Sequence, residues 1–383
     1  MTHTRSRSVL AIAIMGLIAG AAAAQSRSGS LLATDPAPAE PTAVRAVPAE
    51  KAAAAVAKPG WQPPKTSWGH PSLEGVWSTD DMRSVPMGRP AEFGTRTELN
   101  AVEFLDRASR DQGAHDESER VNSFLQHEYG VRTFGYTSMI IDPINGQLPA
   151  LTEAGKALAA TRVRGTYSGG PFNTIDDFTL YDRCITRGAL GSLLPVIYGN
   201  GVRIAQSPDR VAISYEMIHD TRIVYLDGRE AVSGNIHQYL GSARGRWEGN
   251  TLVIESNNFT NKTNVGVNGG GVPNSEKLKL TERLTRVDPE MIEYLATIED
   301  PVVLTAPFTL RLMITTQPGY MLYEYNCHEG NEAVFNALTG ERAYEKMAAE
   351  AAAKGLPIPR RATEHTQIRN GRPDSFFNVN KGE

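Results

Sequence analysis

The chain is 383 residues long and carries 39 Lys and Arg against 43 Asp and Glu, for a net charge of −4. Nucleic-acid recognition wants a basic face, so this balance argues against a nucleic-acid partner. The length allows one large domain or two ordinary ones.

In chain order, the first element reads as a targeting segment. Arg5 and Arg7 supply a positive n-region, Val9 to Ala23 is apolar with many small residues, and Ala22-Ala23-Ala24 before Gln25 offers a cleavage site. Residues 1–24 therefore read as a secretory signal. The alternative, a membrane anchor, needs about 20 strongly apolar residues, whereas Ala and Gly dominate here. No cysteine stands at the predicted cut, which disfavours a lipid anchor. Residues 25–64 are rich in Ala, Pro and Ser without apolar periodicity. Such a segment cannot bury enough surface to offset its ordering entropy, and it reads as a disordered tether. A periplasmic or secreted protein without stable membrane insertion is expected.

Between Trp68 and Cys184 the pattern is irregular. Val76 and Trp77 after Gly75 open a strand, and Thr97 to Ser118 is dense in charge, as a solvated helix or a surface loop would be. Thr152 is a candidate N-cap for a helix through Ala157, Leu158 and Ala160. From Leu193 onward, short β-branched and aromatic runs alternate with turns. Val211 to Met217 and Arg222 to Leu226 read as strands, with Asp227-Gly228 as a tight hairpin turn. Gln238 to Trp247 and Thr251 to Glu255 form the clearest hairpin, around Glu248-Gly249-Asn250. Lys277 to Arg286, Ile292 to Ile298, Phe308 to Thr316 and Met321 to Cys327 continue the series, before a helix over Glu341 to Lys354. Consecutive hairpins predict a mainly β domain over residues 65–361, an antiparallel meander closing into a barrel with a few peripheral helices. Residues 362–383 read as a tail.

Cys184 and Cys327 are the only cysteines. In an oxidising compartment they are expected to form a disulfide, contributing on the order of 4–5 kcal/mol in the chain-entropy model. A pair of buried free thiols is the alternative.

Several words of the sequence resemble a family of abundant exported bacterial proteins. They are Asp142-Pro143 with Asn145-Gly146-Gln147, Glu216-Met217-Ile218-His219-Asp220, Leu226-Asp227-Gly228-Arg229, Gly245 to Val253, Asn258-Phe259-Thr260, and Tyr323-Glu324-Tyr325 leading to Cys327-His328-Glu329-Gly330-Asn331. The resemblance spans most of 140–342 and implies a lipocalin-like or calycin-like β-barrel, with no established general activity. The chain departs from it at Gly241-Ser242-Ala243 and at Lys279, where relatives carry an Asp or His beside a Ser and a nearby His.

Alternate residues of each barrel strand face inward, so a polar residue there needs a partner or a purpose. Leu278, Leu280, Glu282 and Leu284 share a face, which places Glu282 in an apolar row. It is either a proton-transfer group or half of a structural pair with Arg244 or Arg246. His219 shares the face of Tyr215 and Met217, and serves acid–base chemistry or a turn with Asp220. His328 points away from Cys327's face, so the two do not form a dyad. His219, His237, His328 and Glu329 lack a diagnostic metal spacing, and no dinucleotide or phosphate loop is present, so neither metal nor other cofactor is expected.

Two functions fit. The first is a cofactor-independent lyase, isomerase or hydrolase acting on a lipophilic or aromatic small molecule, with His219, Glu282 and His328 as catalytic groups. Arg222 and Arg244 would hold an anionic centre, with Glu216 and Tyr325 as further substrate contacts. The alternative is a periplasmic carrier that binds such a molecule without changing it. Ionisable residues on strands favour the enzyme, because a carrier of apolar ligands needs few buried charges.

Overall fold

The computed structural model describes residues 60–121, 130–163, 165, 170–230, 232–267 and 270–359. The expected signal, most of the expected tether and the C-terminal tail lie outside the described residues. The last tether residues, from Gly60, pack onto the domain: Pro63 is buried, and Asn250 Nδ2 donates to Gln62 Oε1.

Alternation of apolar and polar residues builds nine strands into a closed barrel. They are β1 (Gly75–Ser78), β3 (Gly201–Ser207), β4 (Arg210–Tyr215), β5 (Thr221–Tyr225), β6 (Ser242–Glu248), β7 (Thr251–Asn257), β10 (Lys279–Asp288), β11 (Met291–Glu299) and β12 (Phe308–Thr315), each beside the next. The ring closes where Ser78 of β1 pairs with Thr315 of β12. A short β2 (Ile140–Asp142) also pairs with β12, and β8 (Asn264–Val265) with β9 (Val272–Pro273) forms a separate small hairpin. Inward residues such as Leu252, Ile254, Tyr294, Ala296, Leu310 and Leu312 are inaccessible to solvent. Ala189, Leu190, Leu193 and Leu194 of the segment before β3 join the same core.

The turn at Glu248-Gly249-Asn250 joins β6 and β7 as predicted, with Gly249 at a left-handed φ of 61°. The Asp227-Gly228 turn does not make a hairpin. The chain after it crosses back, so β6 runs parallel to β5 through Val224↔Ala243 and Tyr225↔Arg244. Met321 to Cys327 forms no strand. Both edges of β12 are already occupied, by β11 on one side and by β1 and β2 on the other, so no ladder is free for that segment.

Among the described residues, three α-helices lie outside the barrel: α1 (Ala101–Val121), α2 (Glu153–Ala160) and α3 (Ala333–Ala353). At the start of α1, Asn100 and Glu103 exchange side chain-to-backbone hydrogen bonds of 2.8 and 3.0 Å, a reciprocal cap. The predicted cap of α2 is present, with Thr152 Oγ1 accepting from the Gly155 amide at 2.9 Å. Helix α3 begins eight residues before Glu341, because Asn336, Thr339 and Gly340 are weak helix formers that hide its first half. No described helix is long and apolar enough to cross a membrane. Cys184 and Cys327 form a disulfide with Cα atoms 5.7 Å apart, pinning the strandless segment against the core.

Candidate functional site

Glu282 occupies the apolar row expected for it and is wholly buried. Its partner is Arg222, whose Nη1 and Nη2 donate to the two carboxylate oxygens at 2.6 and 2.7 Å. Tyr294 Oη donates a third bond to Glu282 Oε1 at 2.8 Å. Burial disfavours the Arg222 charge, but the adjacent Glu282 carboxylate outweighs it and holds the guanidinium above its usual range. Burial pushes the Tyr215 phenol beside the pair up to about 12.

The expected partners Arg244 and Arg246 are excluded by the pleat. Gly245 lies in register with Ile254, which in turn pairs with Glu282, and a Cβ on Gly245 would meet the core residues Val224 and Leu252. Its two neighbours therefore face outward. Arg246 pairs with Glu248 at 2.9 Å and Glu255 at 3.1 Å. Arg244 donates to the carbonyls of Arg229 at 3.1 Å and Glu230 at 2.7 Å, clamping the crossover between β5 and β6.

The three expected proton-transfer groups do not converge. Strand β4 ends at Tyr215, and a short helical turn over Met217–His219 follows, with Ile218 and His219 at φ of 69° and 45°. That reversal takes His219 off the Tyr215 face and leaves it exposed. His328 is exposed as well, beside the disulfide. Glu216 is buried and accepts from Tyr320 Oη and from the Tyr323 amide at 3.3 Å; burial raises its pKa. Tyr325 stacks on Tyr198 with ring centroids 6.1 Å apart. Arg222 and Arg244 both border an open cleft of about 580 Å³ at the β5–β6 junction, together with Asp220 and Tyr239. Their guanidinium groups are engaged elsewhere, as above.

The barrel interior is filled. The space beside Ala189, Phe259, Leu280 and Ile298 amounts to about 20 Å³, room for about one water. A much larger cavity of about 550 Å³ is lined by none of the residues of the nine barrel strands. Met87, Met139, Leu148, Leu151, Leu194 and Val267 are among the apolar side chains around it. One wall is the β8–β9 hairpin, where the backbone closes tightly: a Cβ on Gly266 would sit 2.6 Å from the Gly270 carbonyl oxygen. Arg89 is the only charged residue among the described lining. Its Nε donates to Thr137 Oγ1 at 2.9 Å, and its Nη1 donates to the Gly94 carbonyl at 3.4 Å and to the Ile144 carbonyl.

Sequence reasoning missed this cavity. Its walls come largely from the irregular 86–90 and 147–151 stretches and from the glycine-rich segment that carries β8 and β9. Val265 and Val267 before the run of glycines and Val272 after it were the available signal for a short hairpin with an apolar face.

Among the described residues, no group of three or more His, Cys, Asp or Glu could hold a metal ion. His237 instead lies 3.7 Å from Glu276. No protein-family model, curated protein or solved structure matches the chain, so the family resemblance rests on its sequence words alone.

Proposed function

We propose that the protein is an exported binding protein that holds a lipophilic small molecule in the cavity under the β8–β9 hairpin and releases it unchanged. The observation carrying this reading is the cavity itself. Its volume of about 550 Å³ falls in the range that encloses a small organic ligand, roughly 300–1,000 Å³. Its lining is mainly apolar, with Arg89 as the single cation and Gln147 as a neutral polar group, as orientation of a lipophilic guest requires. The ionisable residues that favoured an enzyme supply structural partners instead: Glu282 is bound by Arg222 and Tyr294. Export is supported by the N-terminal pattern and by the disulfide.

The test is native mass spectrometry of the full chain with a panel of lipophilic and aromatic metabolites, alongside product analysis. Unchanged ligand at one equivalent, lost in Val267→Trp with the melting temperature retained, is the expected result. Turnover of any bound compound, or binding indifferent to Val267→Trp, would overturn the reading.

A further inference from the structure

A second pocket, of about 230 Å³, lies at the end of α2 and shares no lining residue with the apolar cavity. We propose that it binds a small organic anion, a carboxylate carried on an aromatic or apolar body.

Charge comes first. Among the described residues lining the pocket, Arg162, Arg183, Arg187 and Lys262 are cations, and Asp176 is the single anion. Asp176 is largely exposed and sits 3.2 Å from Arg183. Arg162 meets only neutral acceptors among the described residues: its Nη2 donates to the carbonyls of Asn261 and, at 3.1 Å, Asn274. The Nε atoms of Arg162 and Arg183 are buried and have no hydrogen-bond partner. Partial burial of a guanidinium without a counter-ion is costly, and desolvation lowers the Arg162 pKa accordingly. An entering oxyanion relieves that cost, and the planar guanidinium fork suits a carboxylate.

The threonine hydroxyls are already engaged, Thr161 Oγ1 with the Leu158 carbonyl at 2.8 Å. Thr179 Oγ1 donates to Asp182 at 2.8 Å, Thr186 Oγ1 to Asp220 at 2.7 Å and Thr263 Oγ1 to Asn274 at 2.7 Å. Recognition therefore falls to the cations rather than the hydroxyls. Val163, Phe178 and Leu180 complete the lining with apolar surface, which a hydrated inorganic ion would leave unused.

Calorimetric titration of the full chain with benzoate, its neutral isostere benzamide and inorganic phosphate tests the assignment. Benzoate is expected to bind at least about tenfold more tightly than benzamide, and Lys262→Gln and Arg162→Gln are each expected to weaken it by about tenfold. Lys262 is exposed, so its variant keeps the fold even if Arg162→Gln does not. Equal affinity for benzamide, no benzoate binding, or benzoate affinity unchanged in Lys262→Gln would overturn the site. Phosphate binding without benzoate binding would overturn the apolar body of the ligand.

Discussion

Removing either member of the Arg222–Glu282 pair strands the other inside the barrel, where both side chains are essentially inaccessible to water. Loss of one partner of a buried pair costs about 3–5 kcal/mol, whereas replacing both with apolar groups is close to neutral. Arg222→Met is therefore expected to lower the unfolding free energy by about that amount, and Arg222→Met with Glu282→Leu to recover most of it. Denaturant unfolding of the two single variants and the double variant reads the coupling. A double variant as damaged as the sum of the singles would show that the pair is not the unit described. Glu282's place in an apolar row was legible, because the two-residue period of a strand is local. Its partner was not, because Arg222 lies 60 positions away and meets it only once the sheet has curled.

The same limit acts on whole elements. The β4–β5, β6–β7 and β10–β11 hairpins were readable, since a short turn forces neighbours to be antiparallel; β3 was missed, although only Pro208 and Asp209 separate it from β4. The β5–β6 junction was not readable either. Asp227-Gly228 does form a turn, with the Arg229 amide donating to Asp227 Oδ1 at 3.2 Å, but no alternating strand follows it. The missing alternation between Glu230 and Asn235 was the sign that the chain was crossing rather than pairing. The resulting ladder has two residue pairs, against seven between β6 and β7. Thr221 to Ile223 pair with β4 on one side and border the open cleft on the other, where β6 does not reach them. This seam is expected to be the first part of the barrel wall to open. Hydrogen-exchange mass spectrometry should show peptides over 221–225 exchanging well before those over 280–298, where β10 and β11 pair along nearly their whole length. Equal protection of the two regions would show that the crossover seals the seam as firmly as a ladder.

Closure of the whole molecule passes through a narrow polar layer. Ser78 and Thr315 make the single register pair that joins β1 to β12, and two buried carboxylates sit directly behind it. Asp80 accepts from Ser78 Oγ and Asn200 Nδ2, each at 2.6 Å. Asp81 accepts from Thr315 Oγ1 at 2.7 Å and from the Arg132 amide at 2.9 Å. Burial is the main cause that raises the Asp80 pKa from 3.8 to about 6, and burial raises Asp81 as well. A raised carboxylate pKa means that the folded state holds the proton more tightly than the unfolded chain. Well below pH 3.8 Asp80 is protonated in both states, and well above about pH 6 it is ionised in both. Between those limits folding loses stability as pH rises, by about 3 kcal/mol for Asp80 alone. Asp80→Asn keeps a neutral polar group of the same shape, so it removes this slope. Measured by denaturant unfolding at successive pH values, the variant should gain on the native chain by about 2.5 kcal/mol between pH 4 and pH 7. The difference between the two proteins, rather than either curve alone, isolates Asp80, because surface carboxylates such as Asp209 are shifted down by their arginine partners and act with the opposite sign. A difference that stays constant across that window would mean that Asp80 remains charged in the closed barrel, and that its bonds to Ser78 and Asn200 offset its burial.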